Sequence, residues 1–338
     1  MKIAIIGAGA IGSVVAAYLT KEGEDVVLVG REGQVDAINT QGLRVKGVRG
    51  EETIPCKALT KLDQEYDLVI FTTKTQDLEE AYQANNEYLE NCRVLTTQNG
   101  VQADSILGFH FEREKMYSSI VMFGATYAQP GEVVFNFEGN WIIGKPYQPI
   151  EPKVHEIANV LQKSFSVVVS PDIVGMKWLK LFVNFNNCLP ALIGKSMQET
   201  FADMDFCKLS VMLLKEGLDI VQKANIKIIS LPNFPSDRIF GLAAMPIDQA
   251  AGILHKTLTG LSEEPLYGSI LQSILRKRKS EIEFINGEVT HMARQMHIKS
   301  PLNDKVVDLV HGVEKEGHFL PPEEVKKEFQ QIINREDG

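Results

Sequence analysis

The pattern of hydrophobic and polar positions changes character about half-way along the chain. In the first half, short apolar runs alternate with helical stretches at residues 13–19 and 78–89. The runs predict β-strands over residues 3–6, 25–29, 66–73, 93–97, 116–122, 133–137, 141–143 and 165–169. Strands and helices that alternate in this way predict a mostly parallel sheet with helices on both faces.

Beyond residue 170 the apolar residues follow the period of an α-helix instead. They predict helices over residues 172–194, 199–225, 245–259, 262–276, 281–296 and 301–316. Only residues 334–338 have the composition of a frayed end. A chain of 338 residues is long for one domain. We therefore expect an α/β domain over residues 1–170 and an all-helical domain over residues 171–338.

A glycine-rich segment joins the first strand to the first helix. It reads Gly7-Ala8-Gly9-Ala10-Ile11-Gly12, and its strand–turn–helix setting is the one in which the G-x-G-x-x-G pattern is informative. Gly7 permits the tight turn, Gly9 lets a pyrophosphate approach the backbone, and Gly12 lets helix and strand pack closely. The free N–H groups of the helix N-terminus favour phosphate. The segment predicts a Rossmann-type dinucleotide site.

The residue after the second strand indicates which dinucleotide binds. NAD-preferring sites usually place an acidic residue there, but Glu22, Glu24 and Asp25 come before the strand or at its start. Arg31 follows the strand, and a guanidinium suits a ribose 2′-phosphate. The alternative is a solvated loop arginine. We predict NADP(H). Lys74 and Asn99 also follow predicted strands, where ligands bind in parallel sheets, so we expect both near the cofactor.

A polar stripe runs along the first helix of the second half. Lys180, Asn184 and Asn187 are spaced to share one helix face, whereas Leu179 and Phe182 are apolar. A solvent-facing stripe is the plain alternative. A lysine facing a cleft would suit a general acid that protonates a developing alkoxide.

A second candidate group lies between residues 269 and 283. Ser280 and Glu283 have the spacing of a capping box, which predicts a helix that begins at Glu281. The carboxylate of Glu281 could then hold Lys180, and Ser269 would lie nearby if the two helices meet. We expect the basic run at residues 276–279 to be a solvated turn.

Composition narrows the class of protein. A net charge of −9 argues against a nucleic-acid partner. The four cysteines are far apart and fit a reducing cytoplasm, and His291 and His297 are spaced for no common metal motif. We predict no metal site and, without a long apolar segment, no membrane span.

The chain resembles the ketopantoate reductase (2-dehydropantoate 2-reductase) family from residue 1 to about residue 329. The likeness rests on the glycine motif, Thr73-Lys74, Gln98-Asn99-Gly100, Pro130-Gly131, residues 178–184 (WLKLFVN) and residues 281–287 (EIEFING). The resemblance implies a Rossmann domain, a helical domain and NADPH-dependent reduction of ketopantoate to pantoate, on the route to pantothenate and coenzyme A.

The resemblance also implies roles for individual residues. Lys180 would be the general acid and Glu281 its hydrogen-bonded partner, which also contacts substrate. The residues implied in binding are Ser269 and Asn184 for substrate, Lys74 and Asn99 for cofactor and active site, and Arg31 for the 2′-phosphate.

The chain departs from the family at two positions. Many members carry a second asparagine where Cys188 stands, and an acidic residue where Ser273 stands. Asn187 could substitute for that asparagine, which leaves the choice of 2-oxo acid open. The alternatives are a reductase of another small 2-oxo acid and a non-catalytic NADP(H) sensor. The helical half could supply the contact of a homodimer.

Overall fold

The computed structural model of the chain describes residues 1–336 and divides it into two compact units, Met1–Val174 and Gly175–Gly338. The sequence pattern placed the change from α/β to helical near residue 170. The last two residues of the predicted helical domain, and of the predicted frayed end, lie outside the described residues.

The first unit contains twelve strands and five α-helices. The strands are β1 (Lys2–Ile6), β2 (Asp25–Val29), β3 (Leu43–Gly47), β4 (Glu52–Ile54), β5 (Lys57–Leu59), β6 (Leu68–Phe71), β7 (Arg93–Thr96), β8 (Met116–Val121), β9 (Gly124–Gln129), β10 (Glu132–Phe137), β11 (Asn140–Gly144) and β12 (Ser166–Val169). The helices are α1 (Ala10–Lys21), α2 (Glu32–Gln41), α3 (Leu78–Gln83), α4 (Gln102–Gly108) and α5 (Pro152–Gln162).

The main sheet has eight strands in the order β12-β11-β8-β7-β6-β1-β2-β5. Strand β1 pairs in parallel with β2 and β6, and β6 pairs in parallel with β7. The carboxyl ends of these four strands therefore lie at the same edge. Along β1, Ile3 and Ile5 pack into one hydrophobic cluster, and Ala4 and Ile6 pack into a second. Successive side chains point to opposite faces, so the sheet is buried on both.

A second sheet of four strands, in the order β4-β3-β10-β9, was not predicted. The expectation that residues 133–137 belong to the mostly parallel sheet was wrong, because β10 pairs with β3 and β9. The main sheet is also mixed, since β8 and β11 are antiparallel. The strands of the second sheet are short and carry polar residues, and in β3 only Leu43 and Val45 are buried. A run of two alternating apolar residues is too weak a signal for a strand.

The second unit is built from helices, as the sequence predicted. They are α6 (Ile173–Asn184), which begins at the unit boundary, α7 (Cys188–Ile193), α8 (Met197–Phe201), α9 (Met204–Lys223), α10 (Asp237–Ala244), α11 (Ile247–Thr259), α12 (Ser269–Leu275), α13 (Asn286–Gln295), α14 (Pro301–Glu316) and α15 (Pro322–Glu336). Among the described residues of this unit, β-pairing is limited to an isolated bridge between Leu231 and Phe234.

Several predicted helix boundaries were wrong. The predicted helix 199–225 is two helices, because a capping box at Ser196 starts α8 and the side chain of Asp203 caps α9. The predicted helix 262–276 is reduced to α12, since Pro265 disfavours helix before it. Helices α10 and α15 were missed, and α15 makes residues 334–336 helical rather than frayed.

Candidate functional site

The glycine turn follows β1 and leads directly into α1. Gly7 has a φ of +123°, a conformation that favours glycine. A Cβ on Gly7 would lie 2.6 Å from the backbone nitrogen of Thr73, and one on Gly12 would lie 2.0 Å from the carbonyl oxygen of Gly7. The hydroxyl of Thr72 donates to that same Gly7 oxygen at 2.8 Å. Any larger residue at Gly7 or Gly12 would push β1, β6 and α1 apart.

Gly9 differs from the other two glycines of the motif. It is the N-cap residue of α1, and a Cβ placed on it would have no heavy atom within 4 Å. The open space lies beside the first turn of α1, where the backbone N–H groups have no helical partner. An exposed glycine is not needed here for packing. The space instead fits a group that approaches the backbone closely, as a pyrophosphate does.

The loop after β2 carries Gly30 and Arg31. A Cβ on Gly30 would lie 2.4 Å from the Cβ of Ala8, so glycine is needed for this loop to pack against the glycine turn. Arg31 is exposed and is the N-cap residue of α2. Arg31, the residue predicted to bind the 2′-phosphate, therefore follows directly after the glycine that packs against the glycine motif.

The loops after β6 and β7 carry Lys74 and Asn99. They meet where the hydroxyl of Thr75 donates to the carbonyl oxygen of Asn99 at 3.4 Å. Lys74 and Asn99 are both half-buried. All the predicted cofactor residues, Gly7, Ala8, Gly9, Ala10, Ile11, Gly12, Arg31, Lys74 and Asn99, therefore lie at or beside one edge of the main sheet.

Gln98 holds these loops together, and sequence reasoning gave it no role. Its side-chain amide donates to the carbonyl oxygens of Phe71 and Thr73, at 2.8 and 2.9 Å. Thr73 has a buried hydroxyl with no hydrogen-bond partner among the described residues. A buried hydroxyl without a partner is costly unless a ligand supplies one. Together with the space at Gly9, it fits a bound NADP(H).

In the helical unit, Lys180 lies on α6 among buried apolar residues. Leu179 and Leu181 are fully buried, whereas the Lys180 side chain is only partly buried. Loss of hydration lowers the pKa of Lys180 from its usual value of 10.5. Lys180, Asn184 and Asn187 are all half-buried, which argues against a fully solvent-facing stripe. A lysine of lowered pKa releases its proton more readily near neutral pH.

Asn187 and Ser269 come together at the start of α12. Asn187 ends a 3₁₀ turn, Phe185–Asn187, that separates α6 from α7. The helix therefore does not run unbroken through Lys180, Asn184 and Asn187, as the spacing had suggested. The Asn187 side-chain oxygen lies where a Cβ of Gly268 would come within 2.7 Å. Next to it, the Ser269 hydroxyl is buried and makes no hydrogen bond to the described residues.

The neighbouring Cys188 belongs to the interior. It is fully buried, and its thiol donates to the carbonyl oxygen of Phe185 at 3.0 Å. Burial raises the pKa of the Cys188 thiol to about 12, although a hydrogen bond from Asn286 opposes the shift. The thiol is therefore neutral at physiological pH, and the side chain is packed in the interior. The half-buried Asn187 has the better position for a ligand.

Glu281 lies on a turn, which corrects the prediction that a helix begins there. A 3₁₀ turn, Ile282–Phe284, follows it, and α13 begins only at Asn286. The predicted capping box does not form: the Ser280 N–H donates to Glu314, and the Glu283 carboxylate pairs with His311. Glu281 is 8% exposed. Its partnership with Lys180 stays a prediction.

Comparison with known proteins identifies the family. A profile described as ketopantoate reductase PanE/ApbA matches residues 3–148, and one described as ketopantoate reductase PanE/ApbA C terminal matches residues 172–314. The chain belongs to the ketopantoate reductase family. The 2-dehydropantoate 2-reductase of Pyrococcus horikoshii is 31% identical over 321 residues, which cover 94% of this chain and 99% of that protein. The Pyrococcus abyssi enzyme is 30% identical over 93% of this chain and 98% of its own.

Solved structures of ketopantoate reductases and related enzymes share the fold. One from Ralstonia eutropha JMP134 superposes with a TM-score of 0.79 at 24% identity, covering 94% of this chain and 99% of its own. A ternary structure of D-mandelate dehydrogenase with NADH and anilino(oxo)acetate has a TM-score of 0.81 at 22% identity, with the same coverage. The predicted fold class, a Rossmann-type domain followed by a helical domain, is confirmed.

The described residues of this ketopantoate reductase family member add two observations. They contain no group of three or more His, Cys, Asp or Glu side chains arranged to hold a metal ion. Their helices also lack the combination of length and apolar character that crossing a bilayer requires.

Proposed function

We propose that this chain reduces 2-dehydropantoate (ketopantoate) to pantoate with NADPH, a step on the route to pantothenate and coenzyme A. The observation that carries the proposal is the likeness to 2-dehydropantoate 2-reductases, at 30–31% identity over 93–94% of the chain. This likeness favours ketopantoate over another small 2-oxo acid. A non-catalytic sensor would need no proton donor, and Lys180 argues against one.

The Rossmann unit would hold the cofactor through the glycine motif, with the pyrophosphate at the N-terminus of α1. Arg31 would bind the 2′-phosphate, and Lys74 and Asn99 would bind on the same sheet edge. When bound, NADPH supplies the hydride that adds to the C2 carbonyl of the oxo acid. The preference for NADPH rests on the charge of Arg31, since a guanidinium pairs with a phosphate in a bidentate manner.

The helical unit would hold the substrate and supply the proton. As hydride reaches C2, the carbonyl oxygen becomes an alkoxide, and the Lys180 ammonium would donate a proton to it. The neutral amine would then take a proton from solvent. A lowered pKa suits this step, because the proton leaves an ammonium whose charged form is already disfavoured by burial.

Asn184, Asn187 and Ser269 would hydrogen-bond the substrate, since each carries a polar group on a partly buried position. Glu281 would hold Lys180 by a hydrogen bond and also contact the substrate. The small-molecule substrate follows from the family. The homodimer and the cytoplasmic location remain predictions.

The proposal is tested by following NADPH absorbance with ketopantoate beside pyruvate, 2-oxoisovalerate and oxaloacetate, each repeated with NADH. We expect the highest kcat/KM for ketopantoate with NADPH. If another oxo acid is turned over equally well or better, that oxo acid would take the place of ketopantoate as the proposed substrate. NADPH binding without turnover of any of the four would favour a sensor.

A further inference from the structure

We infer that Glu314 and His311 hold the turn that carries Glu281, and so act as positioning residues for the proposed reaction. The inference rests on the proposed function, because it assigns these residues through Glu281. We call residues 280–284 the Glu281 turn. Neither Glu314 nor His311 belongs to the sequence motifs on which the resemblance to the family rests, and both lie on the regular helix α14.

The two residues contact both ends of the Glu281 turn. One carboxylate oxygen of Glu314 (Oε1) accepts the backbone N–H of Ser280 at 2.6 Å. At the other end, His311 Nε2 lies 2.6 Å from Oε1 of Glu283. His311 Nδ1 also lies 3.1 Å from Oε2 of Glu314. A single chain of contacts therefore runs from Ser280 through Glu314 and His311 to Glu283, with Glu281 between the two ends.

The turn needs this support because it has little regular structure of its own. Within the turn, the Ile282 N–H donates to the Ser280 hydroxyl at 3.3 Å, and the Phe284 N–H donates to the Glu281 carbonyl oxygen at 3.0 Å. A short segment of this kind has several accessible backbone conformations unless outside contacts select one. Helix α14 is 16 residues long and offers a rigid support.

Burial ranks the two contacts. The Glu314 side chain is 13% exposed, whereas those of His311 and Glu283 are 41% and 54% exposed. Solvent screens the outer ion pair and weakens it. The charge-assisted bond from the Ser280 N–H to Glu314 is better shielded, and bonds of this type are among the stronger ones. We therefore expect Glu314 to matter more than His311.

The experiment is a double-mutant cycle on kcat/KM for ketopantoate. Glu314→Leu should lower kcat/KM about tenfold, the loss of one charge-assisted hydrogen bond. Glu314→Gln keeps an oxygen that accepts the Ser280 N–H and should restore kcat/KM to within about threefold of wild type. In a Glu281→Gln background, Glu314→Leu should change kcat/KM less than about twofold, because its effect passes through Glu281. The NADPH dissociation constant should stay unchanged throughout.

Glu328→Leu is the matched control. Glu328 is also a partly buried carboxylate between two helices of this unit, pairing with Lys305 at 2.9 Å. Its removal should leave kcat/KM unchanged. Equal losses in Glu328→Leu and Glu314→Leu, or full additivity with Glu281→Gln, would mean general destabilisation and would overturn the inference.

Hydrogen exchange separates this inference from the proposed function. In Glu314→Leu, backbone amides of residues 280–284 should exchange at least about tenfold faster, while those of α9 stay unchanged. Unchanged exchange in the turn would overturn the inference even in an active enzyme. Faster exchange in a chain that reduces no 2-oxo acid would instead overturn the proposed function and, with it, the link to catalysis.

Discussion

The side-chain oxygen of Asn187 lies against the backbone of Gly268, at a place where a Cβ on residue 268 would come within 2.7 Å of it. Glycine at 268 therefore makes room for the Asn187 side chain beside the buried Ser269 hydroxyl. Because the Cys188 thiol is buried in the interior, Asn187 is the amide that this segment presents beside Gly268.

Gly268→Ala should displace the Asn187 side chain and raise KM for ketopantoate about two- to tenfold, the cost of one hydrogen bond. Asn187→Ala should have the same effect, and the double variant should be no worse than either single one. Steady-state kinetics measure this. Gly252→Ala is the control, because a Cβ there meets nothing within 4 Å. A wild-type KM in Gly268→Ala would contradict a substrate contact for Asn187.

The glycine motif allows binding to be separated from folding. Gly9→Ala places a methyl group in open space, so the melting temperature should hold while the NADPH dissociation constant rises at least about tenfold. Gly12→Ala places a methyl group 2.0 Å from the Gly7 carbonyl oxygen and should destabilise the Rossmann unit by about 1–3 kcal/mol. Calorimetry and NADPH titration measure the two effects. Unchanged NADPH affinity in Gly9→Ala would argue against a pyrophosphate at this turn.

Arg31 sets the expected choice between NADPH and NADH. Arg31→Ala should weaken NADPH binding about ten- to a hundredfold, because a charge-assisted pair with the 2′-phosphate is lost. NADH lacks that phosphate, so its affinity should change little. Titration of both dinucleotides measures the ratio. Equal losses for NADH and NADPH would show that Arg31 supports the loop instead.

The lowered pKa of Lys180 predicts an alkaline limb in the pH profile. Activity needs the ammonium, so kcat should fall as pH rises through a pKa below 10.5. Lys180→Ala should remove that limb and lower kcat about 10²- to 10⁴-fold, with NADPH affinity little changed. Near wild-type turnover in this variant would rule out the role of Lys180 as the proton donor.

His311 predicts a pH dependence of stability. Burial lowers the pKa of His311, but its contacts with Glu283 and Glu314 outweigh that effect and raise it above 6.5. The stabilisation should be fully present below about pH 6.5 and disappear as pH rises through the raised pKa. The difference in the free energy of unfolding between wild type and His311→Gln should therefore decrease as pH rises. It should stay below about 1 kcal/mol, because the contacts of His311 with the two carboxylates are partly exposed. A difference that grows with pH would contradict it.

Local patterns in the sequence were enough to predict the family, the division into α/β and helical halves, and the order of the candidate residues. The strand–glycine–helix signal at Gly7, Gly9 and Gly12 is read over a dozen neighbouring residues, so no distant contact is needed to interpret it. The apolar runs of β1, β2, β6 and β7 are equally local. They place Arg31, Lys74 and Asn99 after strands that proved to share one sheet edge.

Contacts between distant residues decided the rest. The second sheet exists because β10 pairs with β3 across almost ninety residues, and the sequence pattern that predicts a strand at residues 133–137 does not show which strand it pairs with. Glu281 lies on a turn rather than a helix, and the Ser280 N–H that a capping box would pair with Glu283 donates instead to Glu314, 34 residues away. The place of Asn187 depends on the absence of a side chain at Gly268. These contacts form only when the chain has folded, and a tertiary hydrogen bond or a steric contact outweighs the weak local propensity of a short segment.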